Sequence, residues 1–190
     1  MNIIEKKLKG VFEITLSPHN DERGFFMRSY DSKIFEYFGI KRDWVQEYYI
    51  RNEKRGILRG MSYNFPPFDE SRLIKCTRGS IYSVYVDLRK NFNTYSKWDA
   101  VELNEQSRKM LFLPKGFAFG FCSQSELSEV VYKSDNFYNK DYDCGIIWND
   151  KDLNISWPVE NPVMSEKDKK LLTFAEFNKK VFNPEDLLRI

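Results

Sequence analysis

The stretch Gly56-Ile57-Leu58-Arg59-Gly60-Met61-Ser62-Tyr63-Asn64 decides the fold, because it predicts a buried strand that contains two unusual residues. Arg59 follows two apolar residues, and an arginine is rarely buried without a functional or ion-pairing role. Gly60 indicates close packing against a neighbouring backbone. Arg59 and Ser62 are an odd number of residues apart, so a regular strand would point them to opposite faces. If both line one pocket, the strand must bulge or twist there.

Short runs of strand-forming residues continue on both sides of this stretch and are separated by turns. Many short strands predict a sandwich or barrel, and the lack of βαβ alternation disfavours a dinucleotide-binding fold. Upstream, strands are expected over 11–17, 24–30 and 44–51, with a turn at 18–21. Asp31 is expected to cap a short helix that Gly39 ends. The strands predicted from position 57 onwards are Ile57–Asn64, Arg72–Arg78, Ile81–Leu88, Trp98–Leu103, Lys109–Leu113, Phe117–Cys122 and Glu129–Lys133.

The C-terminal part is expected to be helical. Ser165 opens a predicted helix that runs to about Asn178, and Asn183-Pro184 indicates the start of a last short helix. We therefore expect one mainly β domain over 1–190, with a core at about 11–164 and a helical segment at about 165–190.

Composition excludes several classes of function. The 30 basic and 28 acidic residues give a net charge of +2 without a basic run, so nucleic-acid binding is not expected. No apolar run could span a bilayer, and residues 1–10 lack a secretory signal. The three cysteines are far apart, which favours a reducing cytoplasm. His19 is the single histidine, so a multi-histidine metal site is excluded, and no metal or cofactor is expected.

A series of motifs runs through most of the chain in a fixed order. They are Asp21-Glu22-Arg23-Gly24-Phe25-Phe26, Val45-Gln46, Gly56-Ile57-Leu58-Arg59-Gly60, Val86-Asp87-Leu88-Arg89, Leu113-Pro114-Lys115-Gly116-Phe117-Ala118, Tyr132, Tyr138, Trp157-Pro158 and Ser165-Glu166-Lys167-Asp168. From about Val11 to about Lys170 the sequence resembles the dTDP-4-dehydrorhamnose 3,5-epimerase family. The resemblance implies a cupin-like jelly-roll barrel, or double-stranded β-helix. It also implies a homodimer whose N-terminal strands extend the partner's sheet.

The sequence departs from that family at the positions that perform its chemistry. The family removes and returns protons beside a 4-keto group with a histidine–aspartate dyad, a tyrosine and a lysine. Its R-G-x-H motif ends here in Ser62, which has no suitable pKa and no histidine to activate it, so the usual dyad reaction is excluded. The other departures are Phe119 for a second histidine, Arg72 for the lysine, Ser83 for an aspartate, Arg28 for a glutamate and Tyr48 for an asparagine.

The resemblance also implies a set of site residues. Ser62 occupies the base position, Asp168 the dyad position, Tyr132 the acid or base position, and Arg72 the position that stabilises the enolate. A nearby arginine would lower the pKa of Tyr132 and allow it to act as a base. Arg72 and Arg28 would make the pocket more positive. The substrate-binding positions that the resemblance implies are Arg23 and Arg59 for the diphosphate, Phe26 and Tyr138 for the base or sugar, and Gln46 and Phe119.

Each of these residues also has a structural interpretation. Asp168 lies three residues after Ser165, which fits a helix cap. Tyr132 lies in an ordinary core strand pattern, and Arg23 lies in a charged turn typical of a solvated surface. Ser62 and Phe119 fit small polar and apolar space-filling residues. Lys167 to Lys170 fit a solvated helix face.

Two functions follow from these observations. The first is an isomerase that acts on a dTDP-linked 4-keto sugar with altered proton transfer. The second is a non-catalytic protein that binds a nucleotide sugar or serves as a partner subunit in the same glycan pathway. Different chemistry on a similar ligand, such as ketoisomerisation or dehydration, is a third alternative.

Overall fold

The computed structural model describes residues 1–182, which form two antiparallel sheets packed face to face. The strands are β1 (Asn2–Glu5), β2 (Phe12–Thr15), β3 (His19–Asp21), β4 (Gly24–Phe26), β5 (Gln46–Asn52), β6 (Leu58–Asn64), β7 (Arg72–Arg78), β8 (Ser80–Asp87), β9 (Trp98–Asn104), β10 (Lys109–Leu113), β11 (Phe117–Ser123), β12 (Ser128–Ser134) and β13 (Asp143–Gly145). The α-helices are α1 (Ser32–Tyr37) and α2 (Phe174–Phe182).

The sheet order brings distant parts of the chain together. One sheet has the order β1-β2-β10-β7-β12-β5 and the other the order β13-β6-β11-β8-β9, while β3 and β4 form a separate hairpin. Side chains from both sheets, including Ile74, Leu111, Val130, Tyr85 and Phe121, form one apolar core between them. Alternate residues of each strand therefore point into the barrel, as expected for a sandwich of this type. The predicted mainly β, cupin-like jelly-roll fold is confirmed.

The strands agree with the sequence best where turn residues enclose them. The bounds of β7 and β10 match the prediction, and β8, β9, β11 and β12 differ by one or two residues. The N-terminal region differs more. β1 was not predicted, because only Ile3 of its four residues is buried and the charged residues Glu5 to Lys7 begin at its end. The predicted turn at 18–21 contains β3, and β4 ends at Phe26 rather than continuing to Tyr30.

The predicted helix cap at Asp31 is confirmed. Its carboxylate accepts hydrogen bonds from the backbone N–H groups of Lys33, at 3.1 Å, and Ile34, at 3.3 Å. Gly39 follows the helix with a φ of +75°, which a glycine adopts without steric strain.

The prediction of one helix from Ser165 to Asn178 is wrong. A 3₁₀ turn spans Asp168–Lys170, the chain then extends through Leu171, and α2 begins only at Phe174. A second capping box explains the break, because Thr173 Oγ1 accepts from the Glu176 N–H at 3.2 Å and Glu176 Oε2 accepts from the Thr173 N–H at 2.8 Å. The last predicted helix, at Asn183-Pro184, lies outside the described residues.

None of the helices within residues 1–182 combines the length and the apolar character that crossing a membrane requires.

Candidate active site

A bulge in β6 shapes the site. Ser62 lies opposite Phe119 of β11 and Arg59 lies opposite Phe121, so three steps along β6 match two along β11. The extra residue falls at Gly60-Met61, where Gly60 has a φ of +103°. A Cβ atom on Gly60 would lie 2.5 Å from the Phe119 carbonyl oxygen. The expected close packing and the expected bulge are both present, and Arg59 and Ser62 consequently line one cavity.

The cavity is a cleft with two lobes of about 240 and about 280 Å³. The lobes share Ser62, Arg72, Tyr132 and Lys167, which join them into one site. The first lobe is completed by Tyr48, Asn64, Glu70, Tyr138 and Asp143, and the second by Ile50, Arg59, Gly60, Phe119, Phe121 and Asp168. The structure therefore gathers seven of the ten residues that the sequence analysis selected.

Arg72 lies in a buried ion pair with Glu70, which the sequence analysis missed. The Glu70 Oε1 atom is 2.8 Å from Arg72 Nε and 2.7 Å from Nη2. Asn64 and Ser134 also donate to the Glu70 carboxylate. The side chains of Arg72 and Glu70 are 7% and 9% exposed. The expected positive pocket is therefore wrong, because Glu70 neutralises Arg72.

One N–H donor of the Arg72 guanidinium makes no hydrogen bond within residues 1–182. The Nη1 atom of Arg72 is buried and has no hydrogen-bond partner among the described residues. Native structures seldom leave a buried donor unsatisfied, and an unmade hydrogen bond of this kind costs about 1 to 3 kcal/mol. An oxygen atom of a bound ligand would satisfy it.

Tyr132 both packs against the core and lines the cleft, so its two sequence interpretations hold together. Its ring stacks on Tyr48 at a centroid distance of 4.7 Å. Burial raises the pKa of Tyr132 to about 12, and the negative charge of Glu70 opposes the lowering effect of Arg72. Arg72 lowers this pKa, but burial outweighs the effect, so Tyr132 fits the role of an acid better than that of a base. At neutral pH Tyr132 is a phenol that can donate a proton.

Replacement of Tyr132 by phenylalanine is expected to remove the phenol that ionises with a pKa near 12. The check is a tyrosinate absorbance titration, as a difference between wild type and variant. A free phenol ionises near pH 10, and a pKa raised in the folded state stabilises the fold below that pH. The contribution is lost as the pH rises from about 10 through about 12. A difference titration centred at or below 10 would contradict the assignment. Tyr37→Phe is the control, because it removes a tyrosine that is 85% exposed.

Asp168 lies against the β6 bulge. Its Oδ2 atom accepts a hydrogen bond from the Gly60 N–H at 3.3 Å, and its own N–H donates to Ser165 Oγ at 3.1 Å. Only this second bond belongs to the expected capping box. The Ser165 half of the expected capping box is present, but the Asp168 carboxylate accepts from β6 rather than from the Ser165 N–H, so the box is incomplete. Asp168 also lines the second lobe with Ser62 and Tyr132.

The first lobe opens beside Tyr138. The Tyr138 hydroxyl donates to Asp143 Oδ2 at 2.8 Å, and Asp143 also forms an ion pair with Lys167. Burial and this hydrogen bond raise the pKa of Tyr138 to about 12. Gln46 Oε1 accepts from the Tyr138 N–H at 2.7 Å and so holds the backbone of Tyr138 in place. Lys167 was expected on a solvated helix face, but it lines both lobes.

Arg59 lies at the rim of the second lobe and is exposed, so its expected burial is wrong. The apolar residue before it, Leu58, points into the protein instead. Arg59 Nε donates to Asn52 Oδ1 at 2.8 Å, and Nη2 donates to the Arg51 carbonyl oxygen at 3.4 Å. Its guanidinium forms no ion pair within residues 1–182. It is therefore oriented by neutral groups and retains its charge for an anion.

Phe119 fills part of the second lobe. It is 5% exposed, and its ring centroid lies 5.9 Å from the Arg72 guanidinium carbon. Ser62 Oγ donates to the Phe119 carbonyl oxygen at 3.3 Å. Ser83 Oγ is buried without a hydrogen-bond partner in the described part of the chain. The resemblance implies histidines at positions 62 and 119 and an aspartate at position 83. The structure instead has the hydroxyl of Ser62, the ring of Phe119 and the buried hydroxyl of Ser83 there.

Three residues that were expected in or near the ligand pocket lie outside this cleft. Arg23 forms an ion pair with Asp21 at 2.6 Å on the β3–β4 hairpin, and its side chain is 85% exposed. Phe26 is 74% exposed and lines a different cavity with His19 and Arg28. Arg28 pairs with Asp31 at 2.8 Å. The expectation that Arg28 adds charge to the cleft is wrong for the cleft of its own chain.

Comparisons with known proteins point to one family. A family model described as dTDP-4-dehydrorhamnose 3,5-epimerase matches residues 5–176. The enzyme of that name from Shigella flexneri is 42% identical over 169 residues, which cover 88% of this chain and 93% of the relative. The one from Escherichia coli strain K12 is 35% identical over 178 residues, covering 93% and 96%.

Solved structures agree with the sequence comparison. The Bacillus anthracis dTDP-4-dehydrorhamnose 3,5-epimerase, with TDP and PPi bound, superposes with a TM-score of 0.89 at 36% identity, covering 91% of this chain and 99% of the other. The Legionella pneumophila dTDP-6-deoxy-D-glucose-3,5-epimerase, in complex with dTDP-4-keto-L-rhamnose, gives 0.89 at 30% identity, covering 95% and 96%.

Proposed function

The chain belongs to the dTDP-4-dehydrorhamnose 3,5-epimerase family, and on that premise we propose that it isomerises a dTDP-linked 4-keto-6-deoxy sugar without a catalytic histidine. The unpartnered Nη1 donor of Arg72 carries the proposal. Proton removal beside a ketone places negative charge on the ketone oxygen, and a preorganised donor stabilises that charge. Arg72 is held by Glu70, so it offers this donor without rearrangement.

Tyr132 supplies the second element of the reaction. Its phenol remains protonated at neutral pH, and it lines both lobes beside Arg72. It therefore donates a proton to one face of the enolate carbon. This role agrees with the tyrosine position that the family resemblance implies.

Arg59 and Lys167 are the cations that we assign to the diphosphate. Arg59 forms no ion pair in the described part of the chain, and a guanidinium fork suits phosphate oxygens. Lys167 lines both lobes. Tyr138 stands at the mouth of the first lobe, where its half-exposed ring is available to the nucleotide base or sugar.

We further propose a homodimer in which the β3–β4 hairpin of one protomer completes the cleft of its partner. Arg23 and Phe26 match ligand-binding positions of the family, but they do not line the cleft of their own chain. Both side chains are exposed, and so are all six residues of the two hairpin strands. Phe25, at 54%, and Phe26, at 74%, are unusually exposed for aromatic side chains, which fits a covered interface.

Mixing two inactive variants tests the shared site. We expect Phe26→Ser and Arg72→Met each to be nearly inactive, because each removes one part of every site. Refolded together in equal amounts, they are expected to recover about a quarter of wild-type activity, since half of the dimers carry one intact site. The control is a blend of the two variants after each has been refolded separately. No recovery, although sedimentation shows mixed dimers, would contradict the shared site.

The function itself is tested by deuterium exchange. We expect dTDP-4-keto-6-deoxyglucose, incubated with the protein in D₂O, to gain deuterium at carbons beside the ketone, and Tyr132→Phe to lower the rate about 100-fold or more. Absence of protein-dependent deuterium across several dTDP-4-keto sugars would overturn the proposed isomerase.

A non-catalytic nucleotide-sugar-binding protein is the second candidate. The replacement of the ionisable groups that the resemblance implies by Ser62, Phe119 and Ser83 favours it. That candidate predicts a thermal shift with dTDP but no deuterium exchange, because binding to the native state raises stability by mass action. For either function we propose the cytoplasm, because Cys76, Cys122 and Cys144 are free thiols.

A further inference from the structure

We infer that the Asp168 carboxylate is the base that removes the proton from the sugar. This inference rests on the proposed isomerase function, and it concerns a step for which no histidine is available. Removal of a proton beside a ketone requires a group that is unprotonated at neutral pH and can touch the substrate carbon. Within the cleft, only carboxylates meet the first condition.

Three carboxylates line the cleft, and two of them are engaged. Glu70 accepts from Arg72, Asn64 and Ser134, so both of its oxygens are occupied. Asp143 forms an ion pair with Lys167 and accepts from the Tyr138 hydroxyl. Each of these two carboxylates is therefore already held by a cation of the protein.

Asp168 differs from both. No cationic side chain of residues 1–182 forms an ion pair with it, and Oδ2 accepts one hydrogen bond, from the Gly60 N–H at 3.3 Å. Oδ1 has no hydrogen-bond partner within the same residues. One oxygen is therefore anchored on the rigid β6 bulge while the other remains available. A group held in this way keeps its orientation toward the lobe.

The position of Asp168 places it with the other two proposed groups. It lines the second lobe together with Arg72 and Tyr132. Ser62, which lies in the same lobe, is short, and its hydroxyl donates to the Phe119 carbonyl oxygen. No large side chain at position 62 therefore separates Asp168 from a sugar in the lobe.

The reaction step balances without a further reactant. Asp168 takes the proton from the carbon beside the ketone, the C–H electron pair forms a C=C bond, and the carbonyl π pair moves onto oxygen. The Arg72 Nη1 donor holds that oxygen. Tyr132 returns a proton to the other face of the same carbon, and solvent exchange restores Tyr132 and Asp168. A preorganised donor at the developing oxyanion lowers the barrier to this proton removal.

Asp168→Asn is the first test, because asparagine keeps an oxygen for the Gly60 N–H and removes the base. We expect deuterium incorporation into dTDP-4-keto-6-deoxyglucose to fall about 100-fold or more, with dTDP affinity by calorimetry within about 3-fold of wild type. Glu166→Gln removes the same charge from an exposed position two residues away, and it is expected to retain full exchange.

The outcomes separate the two proposals. Wild type without exchange overturns the isomerase and this inference together. If the wild type exchanges and Asp168→Asn exchanges at a rate within about 3-fold of it, the inference alone is overturned.

Chemical rescue provides a second, independent measurement. We expect formate to raise exchange by Asp168→Ala about 10-fold or more with saturation, since a small carboxylate can replace a missing base. Formate should not rescue Tyr132→Phe. If Asp168→Asn also loses dTDP binding, the formate experiment on Asp168→Ala decides whether Asp168 is the base. Formate would not restore exchange if Asp168 had only a structural role. No rescue then overturns the inference.

Discussion

Gly60→Ala is expected to destabilise the protein by about 3 kcal/mol or more. The backbone φ of +103° costs an L-residue about 1 to 2 kcal/mol, and forced overlap in a packed interior adds about 1 to 3 kcal/mol. The added Cβ would meet backbone atoms, at 2.5 Å from the Phe119 oxygen and 2.8 Å from the Gly120 Cα. Neither neighbour can rotate away as a side chain would.

Gly39→Ala is the matched control. Gly39 has a φ of +75°, but a Cβ there would meet nothing within 4 Å. It therefore measures the backbone cost alone, about 1 to 2 kcal/mol. At a fixed protein concentration, Gly60→Ala should lower the melting temperature by roughly 6 to 12 °C. Equal effects of the two substitutions in urea denaturation would show that the close approach at Gly60 contributes nothing.

Glu70→Gln is expected to cost about 3 kcal/mol, because it leaves the Arg72 guanidinium buried without its counter-charge. The double variant Glu70→Gln with Arg72→Met removes both charges. It should be clearly more stable than the sum of the two single effects predicts, by about 1 kcal/mol or more. Urea denaturation of the four proteins of this double-mutant cycle measures the coupling.

Glu36→Gln controls for the loss of an ordinary surface ion pair. Glu36 and Lys41 are 2.8 Å apart, but their side chains are 56% and 76% exposed. An exposed pair of this kind contributes about 0 to 1 kcal/mol. If Glu70→Gln costs no more than Glu36→Gln, the buried pair does not stabilise the cleft as we describe.

The strands were the most predictable part of the fold, since turn residues fix where they end. β7 stops before Gly79, and β10 stops before Pro114. β1 escaped prediction because pairing with β2, rather than its own pattern, stabilises it. The C-terminal helix was misjudged because Ser165 and Thr173 each begin a capping motif, and the sequence does not show which one starts the helix.

The cleft was predictable only in part. Family resemblance located Ser62, Arg72, Tyr132 and Asp168, and the structure brings all four together. It did not reveal Glu70, whose importance depends on contacts with residues of three other segments. The pKa of Tyr132 could not be predicted for the same reason, because it depends on how burial and the charges of Glu70 and Arg72 balance.

The pairing of Ser62 with Phe119 across β6 and β11 has a consequence for protein engineering. The two side chains line the same lobe, so a histidine introduced at position 62 would meet the aromatic ring at position 119. Redesign of the cleft around a histidine base would therefore have to change both positions together.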